Sequence, residues 1–248
     1  MIVLKTKSQL ALMRIAGRIS AQALGIGGEM VRPGVKTAAI DRAIYEFILS
    51  QGAIPAFLGY GGFPASACIS VNNEVIHGLP GERALREGDI VSIDVGAIYK
   101  GFHGDNAATF AAGAIPPEAK RLLRATHDSL LAGIAAVKDG ARVGDISFAV
   151  QSHIEPYGYG IVRKFVGHGL GVKMHEPPEV PNFGTPGKGP RLAVGMTLAI
   201  EPMINLGGHD VTVCRDGWTI LTADGSLSAH FEHSVAITEN GPVVLTVP

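Results

Sequence analysis

Four carboxylates and one histidine in this chain are of the right types to hold metal ions: Asp94, Asp105, His168, Glu201 and Glu232. Three of the carboxylates interrupt apolar, strand-like stretches: Ile93-Asp94-Val95, Ala199-Ile200-Glu201-Pro202-Met203 and Phe231-Glu232-His233-Ser234-Val235. A carboxylate in such surroundings loses its hydration and needs a partner to stay ionised. Several gathered together also repel one another. Bound divalent cations answer both problems, and hard oxygens with a single imidazole suit Mn, Fe, Co or Zn.

Spacing sharpens the expectation. Asp94 and Asp105 flank Tyr99-Lys100. A hairpin turning there sets the two aspartates directly opposite each other, with Cβ atoms about 4.5–5.5 Å apart. Like charges at that separation need a cation between them, and two metals roughly 3.5–4 Å apart would fit. An aspartate on its own is more often a turn cap or an ion-pair partner; the pattern Asp-Val-Gly…Gly-Asp inside apolar strands favours the metal. His168 sits between Gly167 and Gly169, which let backbone or metal approach closely. For Glu201 and Glu232 the alternative is a buried ion pair with Arg191 or Arg215. Cys68, between Ala67 and Ile69, reads as a packed thiol rather than a nucleophile.

Motifs for other chemistries fail. His175-Glu176 runs into Pro177-Pro178 instead of completing His-Glu-x-x-His. There is no Gly-x-Ser-x-Gly elbow, and Lys188 is followed by Gly189, which rules out a phosphate-binding loop.

The elements that must position these residues alternate as helices, strands, helices, strands. Leu10, Met13, Ile15, Ala16, Ile19, Ala23 and Leu24 make a helical stripe from Ser8 to about Gly27, weakened by Gly25 and Gly27-Gly28. Thr37 reads as the cap of a second helix ending at Ser50 or Gln51, with Gly52 as its stop. Strands are expected over 67–72 and 90–110, helices over 117–137 and 144–157, and strands again over 161–247, with Asp216-Gly217 marking a turn. The stretch from Pro181 to Pro190 reads as a surface loop. An internal repeat supports this division. Val31-Arg32-Pro33-Gly34-Val35-Lys36 aligns with Val137-Lys138-Asp139-Gly140-Ala141-Arg142 at an offset of 106, which also brings Ile40, Ala43 and Ile48 onto Ile146, Ala149 and Ile154. Asp94 falls one short of Glu201 at that offset. Two similar α+β halves, roughly 1–112 and 113–248 of a single domain, would then place these two carboxylates about a pseudo-twofold axis, with a site at the seam.

Composition sets the outer bounds. Over 248 residues, 46% hydrophobic and 17% charged content describes a soluble globule with a sizeable core. A net charge of −1 gives no case for nucleic acid or an anionic membrane as partner. Two cysteines make no disulfide framework, which points to a reduced, cytoplasmic setting. The N-terminus is too poor in apolar residues for a signal peptide, and no run is long enough to span a bilayer.

Taken together, the motifs resemble those of the type I methionine aminopeptidases over essentially the whole chain. They are Ser70-Val71-Asn72-Asn73-Glu74-Val75-Ile76-His77-Gly78-Leu79-Pro80, Ile93-Asp94-Val95-Gly96 through Gly104-Asp105, Gly167-His168-Gly169-Leu170-Gly171 through Met174-His175-Glu176-Pro177-Pro178, Thr197-Leu198-Ala199-Ile200-Glu201-Pro202, Asp216-Gly217-Trp218 and Phe231-Glu232-His233. The resemblance implies the pita-bread α+β fold and two divalent metal ions held by Asp94, Asp105, His168, Glu201 and Glu232. Asp105 and Glu232 would bridge the ions, with His168 and Glu201 completing one of them. Glu201 is the expected proton shuttle, and His77 and His175 the substrate-binding histidines. Tyr60, Phe63, Cys68 and Trp218, with Phe57 nearby, would form the methionine pocket. The implied substrates are peptides and nascent chains beginning with methionine and a small second residue. No ribosome-docking extension is expected, so contact with the ribosome stays open and a monomer is the default. Met174 stands where the family has an aromatic, and Phe57 and Phe63 where it has Cys and Tyr, which touches fine specificity rather than the reaction. Two rivals remain: an Xaa-Pro aminopeptidase of the same fold, and a catalytically dead binding module.

Overall fold

The computed structural model covers residues 1–248. Its helices are α1 (Lys7–Glu29), α2 (Thr37–Ser50), α3 (Pro117–Ala135) and α4 (Val143–Ile154). The strands that bear on the site are β1 (Ala67–Val71), β2 (Ile90–Tyr99), β3 (Phe102–Ala111), β4 (Gly167–Gly169), β5 (Glu176–Val180), β6 (Thr197–Ile200), β7 (Met203–Asn205), β8 (Ser228–His230), β9 (His233–Thr238) and β10 (Gly241–Val244). No helix is long and apolar enough to cross a membrane.

Local chemistry accounts for the helix ends. Thr6 and Gln9 form a reciprocal capping box at the start of α1. Pro117 opens α3 at a position where its missing N–H is no loss. Thr37 is not the cap of α2: Lys36 takes that place without a side-chain bond, and the Thr37 hydroxyl instead donates to Gly81 O (3.1 Å). The first helix continues through Gly25 and Gly27, and a side chain at Gly27 would run into Ile40 and Ile44 of α2 and Ile93 of β2.

Pairing is antiparallel throughout. In a four-stranded sheet β2 carries β3 on one edge and β1 with the short strand Ile54–Pro55 on the other. A five-stranded sheet runs β10-β9-β6-β4-β5. Helices α1 and α2 cover the first sheet through a core that includes Ile19, Ile40, Ile44, Ile48 and Ile93. A second core gathers Leu130, Ile146, Leu198, Ile200 and Val235 around the other sheet.

The repeat seen in the sequence is a repeat of contacts. Gly27 packs against Ile40, Ile44 and Ile93, and Gly133 against Ile146, Val150 and Ile200. Gly34 N–H donates to Leu85 O (2.8 Å), and Gly140 N–H to Leu192 O (3.0 Å). The isolated bridges Lys36–Ala84 and Arg142–Arg191 also correspond. The helical positions keep the offset of 106, while the strand positions, from Leu192 onward, follow one of 107.

One expectation fails in register. The hairpin turns at Lys100-Gly101, with Tyr99 opposite Phe102. Both turn residues have positive φ (48° and 81°), as a two-residue hairpin turn of this hand requires, and glycine fits that position far better than tyrosine. Asp105 therefore faces Gly96 and Asp94 faces Ala107. The two aspartates share a face as diagonal neighbours rather than as a directly opposed pair.

Helix α1 crosses β3 at two glycines. A Cβ on Gly104 would lie 2.5 Å from the Cα of Gly17 and 2.6 Å from the carbonyl carbon of Ala16. Backbone cannot yield as a side-chain tip does, so Gly104→Ala is expected to destabilise the fold by about 1–3 kcal/mol. Urea unfolding of the variant would show this as a lowered midpoint, and an unchanged midpoint would contradict the packing described.

Candidate metal centre

The five predicted ligands converge from both sheets. Asp94 projects from β2 and Asp105 from β3 of the first sheet. His168 comes from β4, Glu201 stands just past the end of β6, and Glu232 lies in the link between β8 and β9. Side-chain oxygens or nitrogens of Asp105, His168 and Glu232 lie within 4.8 Å of one another. His168 Nε2 is 3.5 Å from Glu201 Oε1 and 4.0 Å from Asp105 Oδ2. Neither Arg191 nor Arg215 pairs with Glu201 or Glu232; the basic neighbours of Glu201 are His168 and His230.

The arrangement is rich in acceptors and poor in donors. His168 Nδ1 hydrogen-bonds Gly169 O (2.8 Å). A carbonyl can only accept, so the ring proton sits on Nδ1 and Nε2 faces the carboxylates as a bare lone pair. Asp94 Oδ1, Asp105 Oδ1 and Glu232 Oε1 are buried with no hydrogen-bond partner. Such a group is costly unless a cation or bound protons neutralise it. These residues fit a divalent metal site.

Titration follows the same logic. Burial pushes Asp105 up to about 7, against the pull of a backbone hydrogen bond from Asn106. Burial, and then the neighbouring carboxylates, raise Asp94, Glu201 and Glu232 well above the usual carboxylate range. His168 is pushed down to about 4 by burial, with His175 adding to the effect, and so stays neutral at physiological pH.

The other predicted residues line the same cavity of about 160 Å³: Tyr60, Phe63, Cys68, His77, His175 and Trp218, joined by Phe57 and Met174. Asp41 of α2 accepts from the N–H groups of Ser66 and Ala67, both at 2.9 Å, and fixes the start of β1. Within β1, Cys68 pairs with Asp94. Burial, with Asp94 beside it, drives the Cys68 thiol well above its ordinary range, so it stays protonated and packs. Asp216 accepts from the N–H groups of Trp218 (2.8 Å) and Thr219 (2.9 Å), holding the turn from which Trp218 meets Phe63 edge-on, 5.2 Å between ring centroids. Phe57 and Met174 both pack against Gly96 of β2, so the departures from the expected residue types keep an apolar wall.

His175, at the mouth, contacts the Tyr60 hydroxyl through Nδ1 (2.7 Å) and lies 4.3 Å from the His168 ring. His77 is half-buried with φ of 58°, a strained value for a residue other than glycine. The sequence reading missed His230, whose Nε2 is 3.6 Å from Glu201 Oε2. The signal was there: His230 stands two residues before Glu232, on the same face of an extended segment.

The raised carboxyls carry a pH consequence. Below about 7 the metal-free cluster keeps protons that an incoming cation must displace, while His168 is already neutral. Affinity for Mn²⁺ should therefore rise from pH 6 to pH 8, with protons released on binding. Calorimetry in two buffers of different ionisation enthalpy would measure that release; none at pH 6 would contradict the arrangement.

Residues 11–239 match the model of metallopeptidase family M24. A methionine aminopeptidase of Clostridium perfringens is 53% identical over 247 residues, covering 100% of this chain and 99% of that protein. The crystal structure of a methionine aminopeptidase from Thermotoga maritima superposes with a TM-score of 0.99 at 45% identity, covering 100% of both chains. A prolidase from Pyrococcus furiosus shares the fold, with a TM-score of 0.81 at 24% identity over 99% of this chain and 66% of its own. The architecture is the pita-bread fold. With its motifs in place end to end, the chain belongs to metallopeptidase family M24, among the type I methionine aminopeptidases, and is a hydrolase.

Proposed function

We propose that this aminopeptidase removes the N-terminal methionine from peptides and nascent proteins whose second residue is small. The observation that carries the reading is the continuity of one cavity. An apolar pocket formed by Phe57, Phe63, Met174 and Trp218 opens directly onto the carboxylate–imidazole cluster. An unbranched apolar side chain in that pocket would bring its own α-amino group and first peptide bond to the cluster.

Two divalent ions (Mn, Fe, Co or Zn) would be held by Asp94, Asp105, His168, Glu201 and Glu232. Bound there, they supply Lewis acidity, which acidifies a water and polarises the scissile carbonyl. Glu201 would carry the water's proton to the leaving amine. His175 would steady the carbonyl oxygen as negative charge develops on it. With the Tyr60 hydroxyl donating to Nδ1, the neutral His175 ring carries its proton on Nε2, the atom left to donate. Burial holds the His175 ring in that neutral form by lowering its pKa. His77 would hold the backbone of the second residue. Both histidines crowd the mouth, which disfavours a large side chain there.

A single domain made of halves roughly 1–112 and 113–248 accords with the two cores and their matching contacts. Free thiols at Cys68 and Cys214 accord with a cytoplasmic enzyme. We take it to act as a monomer, with the ribosome as a partner through its nascent chains.

Metal-stripped protein, reloaded separately with Mn, Fe, Co and Zn, should release free methionine from Met-Ala-Ser under at least one metal, and Asp105→Ala should not. Release from Xaa-Pro peptides but not Met-Ala-Ser would transfer the chain to the rival substrate class. His175→Ala should lower kcat by about 10²–10³-fold, the usual effect of losing one donor to a developing oxyanion. Tyr60→Phe should fall between His175→Ala and the parent, because it frees the ring without removing it. Steady-state kinetics on Met-Ala-Ser separates the three.

A further inference from the structure

His230 has no part in the chemistry above, yet its ring reaches the cluster. It is 1% exposed, and neither ring nitrogen has a hydrogen-bond partner. Its main chain is satisfied: the N–H donates to Thr109 Oγ1 (2.9 Å), and the Thr109 hydroxyl donates to the His230 carbonyl (2.9 Å). Only the imidazole is orphaned. A buried polar group left that way costs about 1–3 kcal/mol, and an aliphatic side chain would fill the same space without the loss. The explanation must lie in what the ring faces.

It faces Glu201. The Glu201 carboxylate lies between two imidazoles, with Oε1 3.5 Å from His168 Nε2 and Oε2 3.6 Å from His230 Nε2. The second gap is too short to hold a water. The two rings differ in what engages their far nitrogens. His168 Nδ1 is bound to Gly169 O, which leaves its Nε2 bare. Nothing binds His230 Nδ1, so the proton of this ring is free to sit on Nε2. Glu201 needs such a support. It lies beyond the last ladder residue of β6 and precedes Pro202, and the Asn182 side-chain amide donates to its carbonyl oxygen (3.0 Å). The main chain is thus tethered while the carboxylate has no donor of its own.

We propose that His230 is a positioning residue for Glu201: its Nε2–H donates to Oε2 and so turns Oε1 toward His168 and the ion site. A shift of a few tenths of an ångström closes the contact. The proposal rests on the reading of Glu201 as a metal ligand. Partners that orient ligating side chains typically contribute 10–100-fold to metal affinity.

Cobalt binding to metal-stripped protein tests it, followed by the visible absorption of bound Co²⁺ and by competition with a chelator. The parent chain, Glu201→Ala, His230→Leu and His230→Gln are compared, each with its metal-free thermal midpoint. His230→Leu should weaken Co²⁺ binding by about 10–100-fold and alter the absorption spectrum, with a metal-free midpoint equal to the parent's or higher. His230→Gln, which keeps an N–H donor, should recover most of the affinity. Parent-like Co²⁺ affinity in His230→Leu would overturn the proposal. So would a weakened affinity that comes with a lowered metal-free midpoint and is not restored by glutamine, which would make the residue a packing element only. Failure of the underlying reading looks different: the parent would bind no Co²⁺, or Glu201→Ala would bind it unimpaired.

Discussion

The centre depends on how β3 meets the segment that leads into β9. One edge of β3 pairs with β2 along its full length. Its other edge is joined to the second half at every alternate residue. Thr109 exchanges hydrogen bonds with His230, the Ala107 carbonyl accepts from Glu232 N–H (2.9 Å), and Asp105 is bound through both its N–H and its carbonyl to the Ser234 hydroxyl (3.0 and 2.7 Å). Two of the three links run through hydroxyls of buried side chains instead of a direct backbone ladder. Asp105 and Glu232, one from each half, are brought together by this seam. A sheet edge that would otherwise be left unpaired is satisfied by the same contacts that build the site.

Like charges held by such a frame cannot relax away from one another. The aspartates sit on facing strands, Glu232 hydrogen-bonds to the strand between them and the seam, and the walls are packed: Asp105, His168 and Glu232 are all buried. The metal-free protein keeps protons on these carboxyls, because burial first and the neighbouring charges second disfavour their ionised forms. Rigidity is what turns this cost into affinity. A loose cluster would spread apart and behave as ordinary surface acids, whereas this one can only be neutralised in place.

Much of this was legible in the sequence, for reasons that differ from residue to residue. Acidic residues inside apolar strands stand out because burying them is expensive, so Asp94, Glu201 and Glu232 marked the centre directly. The helix boundaries followed from periodicity to within a few residues. The repeat was visible because the turns at Gly34 and Gly140 and the apolar helix positions that follow them make matching contacts in the two halves. What stayed hidden depends on geometry at the scale of one residue. The hairpin register turned on whether Tyr99 or Gly101 takes a positive φ, and a one-residue choice there shifts every pairing by two. Thr37 looked like a cap and serves a loop instead. His230 was passed over because a histidine beside a ligand gives no sequence signal beyond alternation; only its orphaned ring shows that it faces something.

The two halves are not equivalent at the centre, and the difference sorts the carboxylates by how each is held. Ile93 and Ile200 correspond, so Asp94 and Glu201 do too, but β2 continues through Asp94 to Tyr99 while β6 stops at Ile200. Asp94 is held in a ladder on both sides, paired with Cys68 and with Ala107. Asp105 is clamped by Ser234 and Glu232 by Ala107. Glu201 stands past the end of its strand, before a proline that cannot extend the pairing, with the Asn182 amide on its carbonyl as the tether. Three carboxylates are therefore fixed by main-chain bonds to neighbouring strands, and the fourth depends on what its side chain meets, His168 at one oxygen and His230 at the other. The duplication that makes the site nearly symmetric leaves the carboxylate held through its side chain where the symmetry breaks.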